Sequence, residues 1–167
     1  YSVGAGSSGA PKRTTWPRAA WTGRCPPRSR PWGSWCALAG EDEAAERVAH
    51  RPDVTAERYR AFMRTPGYER DLDLVAAAPD GRFGAYCVCW MDPANGVSEF
   101  EPVGACPDFR GRGLAKAVVS EGFRRMKARG AHTALVCFEE DNAAARRLYE
   151  SVGFNVRSTI CTYTKNA

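Results

Sequence analysis

Pro107-Asp108-Phe109-Arg110-Gly111-Arg112-Gly113-Leu114-Ala115 stands where the hydrophobic period of the chain changes. Ahead of it, Val97 to Ala105 reads as a strand. After it, Leu114, Val118, Val119, Phe123 and Met126 recur at helical spacing as far as Arg129, and Gly130 lies where a C-cap glycine belongs. Gly111 and Gly113 let backbone N–H groups approach a ligand with no Cβ in the way. The helix beginning at Leu114 adds unsatisfied N–H donors and a positive dipole end, and Arg110 and Arg112 add full charges. That combination suits a pyrophosphate. An ordinary strand-to-helix turn uses the same glycines, however, and the loop by itself does not separate the two readings.

Outward from the loop the elements follow from period and punctuation. Trp35 to Leu38 reads as a first strand and Glu41 to His50 as a short helix with acids in its first turn, where they favour the dipole. Thr55 is an N-cap for a helix from Ala56 to Met63, which Pro66-Gly67 stops. Leu72 to Ala77 and Phe83 to Met91 form a hairpin across Pro79-Asp80-Gly81, and Asp92 to Gly96 turns the chain into Val97 to Ala105. On the far side, Thr133 to Phe138 is a strand, Asn142 to Val152 a helix stopped by Gly153, and Phe154 to Tyr163 a final strand. Hairpins followed by a crossover predict an α/β (α+β) fold with a mixed, mostly antiparallel sheet flanked by helices.

A chain of 167 residues, 44% of them hydrophobic, holds one domain with a core. No apolar run is long enough for a membrane helix, and no signal-peptide pattern opens the chain, although Tyr1 in place of Met reads as a truncated or processed start. Six of the 24 basic residues and none of the 19 acids fall in residues 1–40, so the remainder carries 18 against 19 and is near neutral. Residues 1–34, rich in Pro, Gly, Arg and Trp, are expected to be an arm or linker, and 35–167 the folded domain. A basic-aromatic nucleic-acid contact is the sharper reading of the arm, but no binding motif accompanies it. Seven cysteines without a CxxC pair give no zinc or redox motif, and they are expected as reduced thiols of a cytoplasmic protein.

A second motif follows the loop: Asn142-Ala-Ala-Ala145-Arg-Arg-Leu148-Tyr149-Glu-Ser-Val-Gly153-Phe154. RxxGxA at 110–115 and NxxAxxLYxxxGF at 142–154, in this order and context, resemble the GNAT superfamily of acyl-CoA-dependent N-acetyltransferases. The resemblance covers about residues 70 to 164, and it implies a sheet whose strands splay to admit the cofactor, acetyl-CoA. It implies that main-chain groups of Val103 and Ala105 pair with the pantetheine arm, and that amides of Arg110, Gly111, Arg112, Gly113, Leu114 and Ala115 cradle the pyrophosphate. It further implies that Asn142 bonds the pantetheine and that Tyr149 stands beside the sulfur. Pro102 lacks an N–H and Gly104 weakens a ladder, which suits a strand that must let go of a neighbour.

Transfer to an amine requires loss of the ammonium proton, stabilisation of the oxyanion and protonation of the leaving thiolate. The resemblance puts Glu99 at the position that often serves as base and makes Tyr149 the acid. Glu101, two residues on and expected on the same strand face, is the second candidate base. As a pattern alone, both carboxylates also read as solvated strand residues and Tyr149 as a half-buried aromatic. No metal is expected; His50 and His132 stand isolated in the sequence, and no His or acid is placed there to activate Cys106.

The expected function is therefore acetylation of a primary amine, most simply of a small molecule. The alternatives are acetylation of a protein N-terminus or lysine, or a non-catalytic acyl-CoA-binding half of a tandem protein. Neither nucleic acid nor membrane is expected as a partner, and assembly as a homodimer is compatible. The short front helices depart from the family and leave the amine pocket undefined.

Overall fold

Phe83 to Cys89 is apolar without alternation, and every residue of it is buried. A strand of that kind must be covered on both faces, and it occupies the middle of a mixed sheet. The computed structural model describes residues 14–21, 36–38, 54–77 and 82–162. Among these, seven strands form one sheet: β1 (Thr14–Trp21), β2 (Cys36–Leu38), β3 (Asp73–Ala77), β4 (Phe83–Asp92), β5 (Val97–Ala105), β6 (Thr133–Cys137) and β7 (Asn155–Thr162). Their spatial order is β2-β3-β4-β5-β6-β1-β7. Neighbours from β2 to β5 are antiparallel, β5 and β6 are parallel, and β1 is antiparallel to both β6 and β7.

The helices are α1 (Ala56–Phe62), α2 (Leu114–Ala128) and α3 (Ala143–Ser151), with 3-10 turns at Arg70–Leu72 and Pro107–Phe109. Thr55 caps α1, its hydroxyl accepting from the Arg58 N–H at 3.2 Å. Each expected element from α1 onward is present with its ends moved by a residue or two. The helix expected over Glu41 to His50 lies outside the described residues.

Residues 14–21, which composition assigns to the arm, are instead a strand inside the sheet. Within it Pro17 pairs only with Thr159 of β7, and contact with β6 begins at Arg18. A proline is tolerated where one edge of the strand needs no N–H. The rest of residues 1–34 lies outside the described residues.

The main core lies between the sheet and α2 and α3. Phe100 of β5 meets Phe123 of α2 edge-on with centroids 4.8 Å apart, and Phe154 closes the trio against both. Truncating such a buried ring costs about 3–5 kcal/mol. Across the sheet, α1 is tied down by a buried carboxylate: the hydroxyls of Tyr59 and Tyr68 both donate to Asp73, the latter at 2.9 Å. Two donors on one carboxylate offset the cost of burying it. The far end of α2 is held by Arg129, which bonds Glu69 and Asp71 at 2.7 Å each.

Candidate active site

The parallel contact between β5 and β6 lasts for three residue pairs, Val97 with Thr133, Ser98 with Ala134 and Glu99 with Leu135. Beyond Glu99, β5 keeps only β4 as a strand partner among the described residues, so one edge of its backbone faces the space between the parting strands. Pairing with β4 shifts where this happens: Phe100 opposes Cys89 and Val103 opposes Cys87, so Glu101 and Pro102 together stand against Val88. This is a bulge, the kind of place where a proline fits in a sheet. The indole N–H of Trp90 donates to the Glu101 carbonyl at 2.7 Å.

The parted strands open onto a cleft of about 630 Å³, within the usual range for small-molecule sites. Val103 and Ala105 line it from β5, and Arg110, Gly111, Gly113, Leu114 and Ala115 line it from the loop and the first turn of α2. Gly111 and Gly113 have φ of +73° and +78°, a left-handed backbone that suits glycine. A Cβ on either would meet no protein atom within 4 Å, so the space over both is open. Gly113 is the N-cap of α2 and offers no side chain, which leaves the first N–H groups of the helix without a cap from it.

From the other side come Asn142 and Tyr149. Asn142 caps α3, its side-chain oxygen accepting from the Ala145 N–H at 3.0 Å, which turns the amide nitrogen into its remaining donor. Tyr149 is buried. Burial pushes its phenol well above the ordinary range, and the negative charge of Glu101 adds to the shift. Its hydroxyl therefore keeps its proton throughout the neutral range and serves as a donor.

Nine of the residues expected at the site thus meet in one cleft, and three do not line it. Arg112 turns its guanidinium over the Phe109 ring, 5.3 Å from the centroid. Glu99 is half-buried beside Trp90 on the neighbouring strand, and Glu101 is exposed at the bulge, its charge reaching Tyr149. Ser98 and Phe100 are buried while Glu99 and Glu101 are more open, so the alternation of burial along β5 runs as far as Glu101.

Sequence reasoning missed Tyr86, Gly104 and Lys116, which also line the cleft. A Cβ on Gly104 would lie 2.4 Å from Cζ of Tyr86, so the glycine makes room for that ring. The apolar run of β4 gave no sign that Tyr86 would reach a ligand space. Lys116 was legible as the third residue of a helix that begins at a phosphate-type loop. Among the described residues no helix is long and apolar enough to cross a membrane.

The model of the acetyltransferase (GNAT) family matches residues 32–154. A mycothiol acetyltransferase of Kineococcus radiotolerans is 34% identical over 109 residues, which cover 65% of this chain and 35% of that protein. The chain therefore spans about a third of the length of this relative. A GCN5-related N-acetyltransferase from Sphaerobacter thermophilus superposes with a TM-score of 0.72 at 25% identity, over 90% of this chain and 50% of the other. A GNAT-family protein from Novosphingobium aromaticivorans gives a TM-score of 0.67 at 26% identity, over 90% and 63%.

Proposed function

The chain belongs to the acetyltransferase (GNAT) family, and on that premise we propose that it moves an acetyl group from acetyl-CoA to a primary amine of a small molecule. The observation that carries the reading is the cleft in which both motifs converge on the open edge of β5. Its residues fit the cofactor. Amides of the Arg110–Ala115 stretch and the charges of Arg110 and Lys116 suit a pyrophosphate at a helix N-terminus. Main-chain groups of Val103 and Ala105 suit the amide-bearing arm, and the Asn142 amide adds a donor.

Acetyl-CoA supplies an activated acyl group whose C–S bond breaks as the amine nitrogen bonds the carbonyl carbon. The chain's own residues move the protons. A carboxylate of β5 takes the first proton, the one the ammonium must lose, Glu99 first and Glu101 as the alternative. Tyr149 gives its hydroxyl proton to the departing sulfur and regains one from the nitrogen, which sheds its second proton on becoming an amide. The name of the Kineococcus relative supports a small-molecule acceptor. The chain's share of that relative supports a second reading, in which it is an acyl-CoA-binding half of a longer protein. The presence of Tyr149 and both carboxylates favours catalysis. The test is acetyl-CoA turnover against a panel of amines, read by thiol release. Release with at least one small amine is expected. Acetyl-CoA binding without release for any amine would leave the binding half.

A further inference from the structure

Trp90 is joined to two parts of the molecule at once. Its indole N–H holds the Glu101 carbonyl at 2.7 Å, and its ring meets Phe62 of α1 edge-on, with centroids 5.5 Å apart and an interplanar angle of 83°. Phe62 is in turn fixed by Tyr59, stacked at 5.6 Å, and by Tyr68, edge-on at 5.6 Å. Those two tyrosines are the pair that grips the buried Asp73. The indole is thus anchored on one side to a rigid aromatic group and on the other to a single carbonyl.

That carbonyl belongs to the bulge. Bulges re-aim side chains, and this one carries Glu101, whose charge bears on the Tyr149 hydroxyl. We propose that Trp90 is a positioning residue: by holding the Glu101 carbonyl against α1 it fixes the bulge, and with it the stance of the Glu101 carboxylate beside the stretch of β5 that lines the cleft. Tryptophan suits this task because it combines a broad ring for packing with one N–H donor and no acceptor. The inference rests on the acetyl-transfer reading above and assigns Glu101 a part in it, beside whichever carboxylate takes the ammonium proton.

The experiment compares wild type, Trp90→Phe, Glu101→Gln and the double variant by thiol release with an accepted amine. Trp90→Phe keeps a ring for Phe62 and removes the N–H. A misplacement of this kind far exceeds assay noise, on the order of 10- to 100-fold in kcat, with KM for acetyl-CoA within about twofold. Because Trp90 acts through Glu101, the double variant should be no slower than Glu101→Gln alone. Should Trp90→Phe fail to fold, benzothienylalanine at position 90 removes the N–H and keeps the ring. Full kcat in the Trp90 variant, a loss confined to KM, a silent Glu101→Gln, or losses that multiply in the double variant would each overturn the inference. A wild type inert with every amine overturns the acetyl-transfer reading and this inference with it. An active wild type with an undiminished Trp90 variant overturns this inference alone.

Discussion

The ring of Tyr86 occupies the space that a side chain on Gly104 would need, its Cζ lying 2.4 Å from where a Cβ would stand. Both residues line the cleft from adjacent strands. Gly104→Ala must therefore displace the ring or bend β5 at the edge proposed to meet the pantetheine arm. Overpacking of this kind costs about 1–3 kcal/mol, visible in a denaturant titration. The rise in melting temperature given by acetyl-CoA should shrink as well. Adding Tyr86→Ala should restore part of the stability, and no recovery would mean that another neighbour sets the constraint.

Gly113 presents two obstacles to a side chain. Its φ of +78° costs a non-glycine residue about 1–2 kcal/mol, and a Cβ would enter the open space over the loop. Gly113→Ala should lose modest stability yet lose nearly all of the acetyl-CoA-induced rise in melting temperature. Calorimetry with acetyl-CoA separates the two effects. A folded variant that binds undiminished would remove the pyrophosphate from this loop.

For Glu99 the expected signature is pH recovery. Glu99→Gln should depress turnover by roughly 10²–10⁴-fold near neutral pH and regain it as pH rises, because a free amine needs no base. Glu101→Gln is the comparison. If it shows the larger pH-recoverable defect, the base is Glu101. If both variants keep full activity at pH 7, neither carboxylate takes the proton.

Tyr149 allows two independent checks. Tyr149→Phe should lower kcat while acetyl-CoA affinity stays within about twofold, since the hydroxyl serves the leaving sulfur. Linkage gives the second check. The folded phenol holds its proton above the unfolded value of about 10, so the unfolded state binds fewer protons beyond that pH and stability falls as pH rises. Denaturant titrations at pH 9 and 11 should show a loss in wild type that Tyr149→Phe reduces. Equal losses would mean that the phenol is not buried in solution.

Much of the site was legible because its chemistry is local. Gly111, Gly113 and the apolar stripe from Leu114 announce a loop and helix within a few residues, and the helix read over Asn142 to Val152 forms at Ala143–Ser151 with Asn142 as its cap. The hidden parts depend on contacts between distant segments. Nothing near Glu101 reveals that β4 and β5 slip by one residue, since pairing register belongs to both strands. Asp73 reads as a polar strand start and is fully buried because Tyr59 and Tyr68, 14 and 5 residues away, reach it. Thr14–Trp21 looked unstructured because its partners lie more than a hundred residues onward.

The position of β1 between β6 and β7 sets a timetable for synthesis. β1 leaves the ribosome before every other described strand, whereas both of its neighbours come after α2. At about 5–20 residues per second, roughly 6–23 s separate the emergence of Trp21 from that of Cys137, the far end of β6. The strands β2 to β5 can pair in that interval, but β1 has no ladder to join. Its pairs are also the most distant in sequence within the sheet, so their loop-closure cost falls on the last stage of assembly. A nascent chain stalled before β6 emerges should therefore leave residues 14–21 open to protease, and release of the full chain should protect them.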